Sequence, residues 1–351
     1  MQHRSDRSFK GSHKKGCLIV LLIFLVVLVC ASLLVYGFIT LSLNQINRPD
    51  PNETFLSEQE WDNLMASENA GGETYAELDP AEVDFEPGSL IPIGGTEDMV
   101  NILLIGQDRR PGERRARSDA MILCSFRKST GEITMVSFLR DLYVQIPDYN
   151  GDSYRDNRLN AAYAFGGMEL LDAALKENFG VIVDANIEVD FDGFISVIDI
   201  LGGVDISLTQ EEADYMNRGK KWGLTAGTNH LDGKQALAYS QIRYIGTDFG
   251  RTNRQRNVLN SLFQEMKSKS LPEIISLVNE IFPLLTTDMT NSEIISYVTE
   301  LLPTVSKGSM ETLYIPYEGT YNYATIRGMS VLLPNYTENR KLLQDALLGE
   351  P

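Results

Sequence analysis

The sequence predicts an α/β fold: a three-layer α/β/α domain on a central mixed sheet, preceded by one N-terminal transmembrane helix. Two observations carry this prediction. From about residue 99 onward, short apolar runs of the buried-strand kind alternate with amphipathic helical segments. Before them lies a run from Gly16 to about Leu43 without a charged residue.

That run is long enough to cross a hydrocarbon core of roughly 30 Å, for which about 20 residues suffice. It is too long for a cleaved signal peptide, and no convincing cleavage site follows it. Residues 1–15 carry Arg4, Arg7, Lys10, Lys14 and Lys15 against the single acid Asp6. The expectation is a cytoplasmic basic tail (1–15), a signal anchor (16–43) and an extracytoplasmic remainder at the cell membrane. Residues 44–98 are rich in acids and prolines, and no Lys or Arg occurs from 49 to 98. Such composition reads as a solvated acidic linker, with residues 58–65 (EQEWDNLM) a candidate short helix. The folded domain is expected at 99–351.

Residues 100–105 (VNILLI), 119–126 and 133–138 read as strands, with a short one at 143–146. Residues 157–165 read as helical, and 168–179 as an amphipathic helix stopped by Gly180. A strand at 186–191, an apolar helix at 194–201 ended by Gly202-Gly203, and a strand at 204–208 follow. Residues 210–216 read as a short helix. Further helices are expected at 272–282, 292–302 and 337–348, and strands at 312–315 and 330–333.

Bulk properties exclude several function classes. The formal net charge of −17 opposes nonspecific nucleic-acid binding. Three cysteines cannot form a complete disulfide framework, and all read as small hydrophobes. The only histidines are His3, His13 and His230, which disfavours a His-based triad or multi-histidine zinc site. No GxxxxGK[ST] phosphate loop occurs.

The chemistry concentrates in residues 232–257 (DGKQALAYSQIRYIGTDFGRTNRQRN). Asp232 and Gln235 read as a capping box opening a helix. Gly246 and Gly250 break the chain into a loop holding Asp248. A second helix is expected to start near Arg251, with Arg251, Arg254 and Gln255 on one face near its N-terminus. Guanidiniums at a helix N-terminus form an oxyanion site, best suited to phosphate. Three further clusters fall at strand boundaries: Asp108-Arg109, Arg117-Ser118-Asp119 and Arg140-Asp141. Ligands of open α/β sheets bind beyond the carboxyl ends of strands. The Arg117–Asp119 cluster precedes its strand, so it shares that edge only if the strand runs antiparallel. Asp119 and Asp248 are candidate ligands for Mg²⁺, which takes one or two carboxylates plus phosphate oxygens and water.

Several segments resemble the LytR-CpsA-Psr family of envelope glycopolymer transferases. They are NILLIGQDRR (101–110), RSDAMIL (117–123), VSFLRDLYVQIP (136–147), RLNAAYAFGG (158–167), VDFDGFISVIDILGGVDI (189–206) and residues 224–259. They occur in the family's order behind a single N-terminal anchor. The resemblance implies an apolar pocket for a polyprenyl chain and an Arg-rich mouth that grips pyrophosphate with Mg²⁺. It implies transfer of a glycopolymer, such as teichoic acid or capsule, from polyprenyl pyrophosphate to peptidoglycan. Arg109, Arg117, Arg140, Arg243, Arg251, Arg254 and Gln255 would then bind pyrophosphate, with Asp248, Arg251 and Arg254 catalytic. Asp119 and Asp248 would lie on the metal side, with Asp108 and Asp141 in the site loops. Candidate lipid-pocket residues are Phe165, Met168, Leu171, Phe194, Val197, Ile198 and Leu201. Gln241, Leu139 and Arg158 stand where the family commonly has Arg, Pro and Lys. The alternatives are a polyprenyl-pyrophosphate-binding protein or a pyrophosphatase without transfer to peptidoglycan.

Overall fold

Alternation within the apolar runs decides what each face of the sheet meets. The computed structural model describes residues 41–69, 75–86, 90–107, 117–246, 248–269, 271–305 and 310–349. Residues 46–351 form one compact unit. The expected cytoplasmic tail and all but the end of the expected membrane span lie outside the described residues. Among the described residues, no helix is long and apolar enough to cross a membrane.

The elements follow in chain order. α1 (Glu58–Asn69) leads to β1 (Met99–Gln107), β2 (Ser118–Arg127), β3 (Ile133–Phe138), β4 (Tyr143–Val144) and β5 (Asn157–Arg158). α2 (Leu159–Phe179), β6 (Ala185–Asp190), α3 (Phe191–Leu201), β7 (Val204–Leu208), α4 (Gln210–Asn217) and β8 (Gly227–Leu231) come next. Then come α5 (Gly233–Ser240), α6 (Asp248–Ser268), α7 (Leu271–Ile281), β9 (Thr286–Thr287) and α8 (Asn291–Val305). β10 (Met310–Ile315), β11 (Tyr321–Ile326), β12 (Met329–Pro334) and α9 (Tyr336–Leu348) complete the chain.

The central sheet has six strands in the order β10-β3-β2-β1-β6-β9. It is mixed: β10–β3 and β1–β6 are parallel, while β3–β2, β2–β1 and β6–β9 are antiparallel. Because β2 runs against β1 and β3, its first residues share an edge with the ends of those two strands. One face sends Leu103, Ile105, Met121, Leu123, Val136 and Phe138 into the main core, with α2 and α9. The other face turns Leu104, Ile122, Cys124 and Met135 toward Leu259 of α6. The same alternation separates core from site.

The two helical stretches expected at 157–165 and 168–179 are present: α2 consists of two helices that meet at a kink, with non-helical dihedrals at Gly166 and Gly167. Gly167 combines φ 64° with ψ −146°, a conformation open to glycine. The expected solvated linker at 44–98 is in part packed into the domain. Trp61 and Met65, four apart on α1, are 0% and 1% exposed within the main core. Trp61 Nε1 donates to Asn157 Oδ1 at 3.2 Å and its ring meets Phe165 edge-on. Ile93 is fully buried and exchanges backbone hydrogen bonds with Gly180 and Ile182. An acidic surface face conceals this short apolar stripe when composition alone is read.

Candidate active site

A cavity of about 440 Å³ opens between the second face of the sheet and helices α3, α5 and α6. Leu104, Ile122, Ile187, Val189, Phe194, Val197, Leu237, Leu259, Leu262 and Leu285 give it an apolar lining. Asp119, Ser240, Gln241, Arg243, Arg251 and Gln255 add polar groups. α6 orders these two chemistries along the cavity. Arg251, Gln255, Leu259 and Leu262 recur at helical spacing on its lining face. At 1.5 Å per residue, Arg251 and Leu262 lie about 16 Å apart along the axis.

Asp119 reaches the cavity through a β-bulge. Gly106 pairs with Ala120 and Gln107 with Ser118, so Asp119 is the extra residue opposite neither. Bulges re-aim side chains and recur beside functional sites. Gly106 suits this close crossing, since a Cβ there would lie 3.2 Å from the Ala120 Cβ.

Arg140 follows β3 and completes the edge. Its Nη1 donates to Asp119 Oδ1 at 2.6 Å, and its Nε lies 3.3 Å from Asp141 Oδ2. Arg158 reaches Asp141 Oδ1 at 3.2 Å and donates through Nε and Nη2 to the Ser330 carbonyl. Asp141 is therefore a half-buried bridge between two guanidiniums. Arg243 Nη2 lies 3.9 Å from Asp119 Oδ1 and is half exposed. Burial raises the Asp119 pKa, but Arg140, then Arg251 and Arg243, outweigh it and hold the carboxyl below its ordinary value. Asp141 is held low in the same way, with Arg140, Arg158 and Arg251 outweighing its burial.

The expected common face of Arg251, Arg254 and Gln255 divides. Neighbouring helix positions point about 100° apart. Arg251 and Gln255 line the cavity. Arg254 is buried elsewhere: Nε donates to Glu212 Oε1 at 2.7 Å, Nη1 to Ile242 O at 3.1 Å and Nη2 to Ile245 O at 2.7 Å. The Glu212 Oε2 atom accepts from the Thr209 N–H at 2.9 Å, within the capping box of α4. Arg254 thus ties α6 to α4 and to the chain after α5, and it does not line the cavity.

Of the remaining expected site residues, Arg117 immediately precedes β2. Asp108 and Arg109 lie outside the described residues, as does the side chain of Asp248, whose backbone opens α6. Gln241 caps α5 and lines the cavity as a neutral group. The Leu139 N–H donates to Ile315 O at 2.9 Å, a bond that proline cannot make. Among the candidate lipid-pocket residues, Phe194 and Val197 line the cavity. Phe165, Met168 and Leu171 belong to the main core on the other side of the sheet, and Ile198 to a second core cluster. Leu201 is buried at the end of α3 and is not in the lining. β-strand alternation is the signal that finds Leu104 and Ile122. The i, i+4, i+8 pattern from Arg251 finds Leu259.

A family model described as LytR_cpsA_psr family matches residues 64–345. The chain belongs to the LytR_cpsA_psr family. A relative from Bacillus cereus, the polyisoprenyl-teichoic acid–peptidoglycan teichoic acid transferase TagU, is 33% identical over 180 residues. That match covers 49% of this chain and 56% of TagU, so the chain spans little more than half the relative's length. Biofilm regulatory protein A of Streptococcus mutans is 29% identical over 286 residues, covering 76% of this chain and 67% of the relative. The structure of TagT bound to LIIa-WTA has a TM-score of 0.59 at 26% identity, covering 79% of this chain and 98% of TagT. Bacillus subtilis TagV has a TM-score of 0.58 at 28% identity, covering 73% and 100%. The family match begins at residue 64, inside α1, which agrees with the burial of Met65. In this LytR_cpsA_psr chain the mixed sheet carries Asp119 and Arg140 on one edge, and α6 brings Arg251 and Gln255 to the same cavity.

Proposed function

We propose that this chain is a membrane-anchored phosphotransferase. It moves a glycopolymer, as a phosphate-linked unit, from a polyprenyl-pyrophosphate carrier to a peptidoglycan hydroxyl. The observation that carries this reading is one cavity with an apolar lining and with Asp119, Arg243, Arg251 and Gln255 among its polar groups. An isoprenoid chain fits the first chemistry and a pyrophosphate the second. The name of the TagU relative, which gives a polyisoprenyl-linked teichoic acid and peptidoglycan, supports this donor and acceptor. Residues 16–43 are assigned as the anchor, with the domain extracytoplasmic.

The pyrophosphate linkage is already activated, so catalysis needs positioning and charge neutralisation more than a covalent nucleophile. The acceptor hydroxyl oxygen attacks the phosphorus that carries the polymer. The bond from that phosphorus to the bridging oxygen breaks, and polyprenyl monophosphate leaves with the electron pair. Arg251 and Arg243 neutralise the developing charge, and Gln255 orients a phosphate oxygen. Arg140 fixes Asp119. Asp248, at the start of α6, is assigned the acceptor proton. Asp119 and Asp248 are the residues that would hold Mg²⁺. The fit rests on Asp119, a hard oxygen donor kept ionised, whose Oδ2 accepts no hydrogen bond among the described residues. When bound, the ion adds positive charge against phosphate oxygens.

Mass spectrometry of lipid co-purifying with the full chain tests the reading. Polyprenyl phosphates are expected in the wild type and depleted in Val197→Trp, which fills the cavity. Retention of the same lipid by a folded Val197→Trp variant contradicts the assignment of this cavity.

A further inference from the structure

A cationic loop follows α4, and Arg254 holds that helix against the mouth of the cavity. Its guanidinium binds the carbonyls of Ile242 and Ile245, on either side of Arg243 and Tyr244, and the carboxylate of Glu212 on α4. The half-exposed Arg243 of the cavity lining is thereby fixed near α4. Tyr244 is 85% exposed, and its ring centroid lies 6.1 Å from that of Tyr215 on α4. The Arg218 guanidinium, directly after α4, sits 5.5 Å from the same Tyr215 ring. Two residues on, Lys220 Nζ lies 4.0 Å from the centroid of the Trp222 ring.

The loop is built rather than merely charged. Asn217 Nδ2 donates to Leu224 O at 2.8 Å, and the Leu224 N–H donates to Asn217 Oδ1 at 3.1 Å. One side chain thus closes residues 218–223 at their base. Leu224 is buried in the second core cluster, and Tyr215 and Trp222 pack against that cluster. Arg218, Lys220 and Lys221 are exposed, and residues 215–231 contain no Asp or Glu in a chain of net charge −17. An aromatic face attracts a cation without cancelling its charge, whereas a carboxylate cancels it. Arg140, Arg158 and Arg254 are paired with carboxylates. Arg218 and Lys220 are held by rings, so they are placed and still fully charged.

A fixed, exposed row of cations is complementary to a polyanion. Trp222 lies beneath Lys220 and against the core, so the loop presents charge and not a ring to insert into a bilayer. The row is continuous with Arg243, among the polar groups assigned to the pyrophosphate. A polymer linked to that phosphate is too polar for the apolar lining and leaves the cavity past Arg243.

We propose that Arg218, Lys220 and Lys221 form an exit track for the donor polymer, and that the track selects polymers carrying anionic groups along the backbone. The assignment to the donor rests on the proposed function; the affinity of the loop for a polyanion does not.

The test uses the full chain in detergent and synthetic poly(glycerol phosphate) without a lipid, with binding read by calorimetry. Arg218→Gln/Lys220→Gln/Lys221→Gln is expected to weaken binding about tenfold or more and to flatten its dependence on salt. Arg218→Lys/Lys220→Arg/Lys221→Arg, which keeps the charge, is expected to stay within about threefold of wild type. The substituted side chains are exposed and the Asn217 clamp is untouched, and thermal melts confirm the fold. Unchanged affinity in the folded glutamine variant overturns the proposal. Equally strong loop-dependent binding of uncharged dextran overturns the selection by charge. Loop-dependent binding of phosphatidylglycerol vesicles or of soluble peptidoglycan fragments, with poly(glycerol phosphate) affinity unaffected by the glutamine variant, overturns the track and makes the loop a membrane or acceptor contact. Loop-dependent polyanion binding in a chain that transfers nothing counts against the proposed function and not against the loop's affinity. Transfer with loop-independent polymer binding counts against the track alone.

Discussion

Arg140 Nη1 donates to Asp119 Oδ1 at 2.6 Å, so the carboxylate that the β2 bulge turns into the cavity is held by a cation from the end of β3. Arg140 is in turn held by Asp141, and Asp141 by Arg158. The site is a chain of alternating charges in which each member fixes the next.

Removing Asp119 is expected to abolish most transfer. Asp119→Ala should lower kcat by about a hundredfold or more, the scale of losing one electrostatic group from a dry site. The measure is transfer from lipid-linked donor, with circular dichroism confirming the fold. Near-wild-type turnover in a folded variant removes Asp119 from the mechanism.

Arg254 and Arg251 are expected to separate cleanly. Arg254→Ala leaves Glu212 buried without its guanidinium and should cost about 3–5 kcal/mol of stability. Arg251→Ala, from the cavity lining, should reduce transfer with a smaller effect on unfolding. Urea titrations of both variants beside transfer rates decide the matter.

Acid should act through Asp119 and Asp141. Their folded pKa values are depressed by the surrounding arginines, despite burial that opposes this. Their stabilising contribution is present above the unfolded carboxylate value of about 3.9 and is lost as pH falls through the lower folded values. Arg140→Met removes the largest cause of that depression. The wild type's advantage in Tm over this variant should be greatest at neutral pH and shrink below about pH 4.

Asp172 should give the opposite trend. Burial, with Asp288 and Glu169 nearby, raises its pKa to about 8, although Asn186 donates to it. Its stabilising contribution is complete below the unfolded value of about 3.9 and is lost as pH rises through the folded one. Asp172→Asn should flatten the decline of Tm between about pH 4 and 8 and be more stable than wild type at about pH 9. A parallel decline in both proteins contradicts this.

Trp61→Ala should cost about 3–5 kcal/mol by opening a cavity in the main core. A loss below about 1 kcal/mol in chemical denaturation would return α1 to the status of a solvated attachment.

Much of the fold was legible in the chain. The apolar runs, glycine stops and the capping box at Asp232 mark real elements. The antiparallel direction of β2, on which the use of Asp119 depended, was posed by sequence and answered by pairing. Arg254 was not legible, because spacings of three and four share a helix surface but not one direction. Phe165, Met168 and Leu171 were assigned to the lipid pocket because apolar type does not say which face of the sheet a helix covers. Trp61 was hidden by acidic neighbours. Tyr321 and Tyr323 alternate with polar residues in a strand that hydrophobicity alone does not find.

The most direct test of the central claim is a mass balance with purified chain, polyprenyl-pyrophosphate-linked polymer and peptidoglycan. The account predicts polymer joined through phosphate to the peptidoglycan glycan, with one polyprenyl monophosphate released per linkage formed. Release of monophosphate with free polymer, at the same rate with and without peptidoglycan, would contradict it and identify a pyrophosphatase.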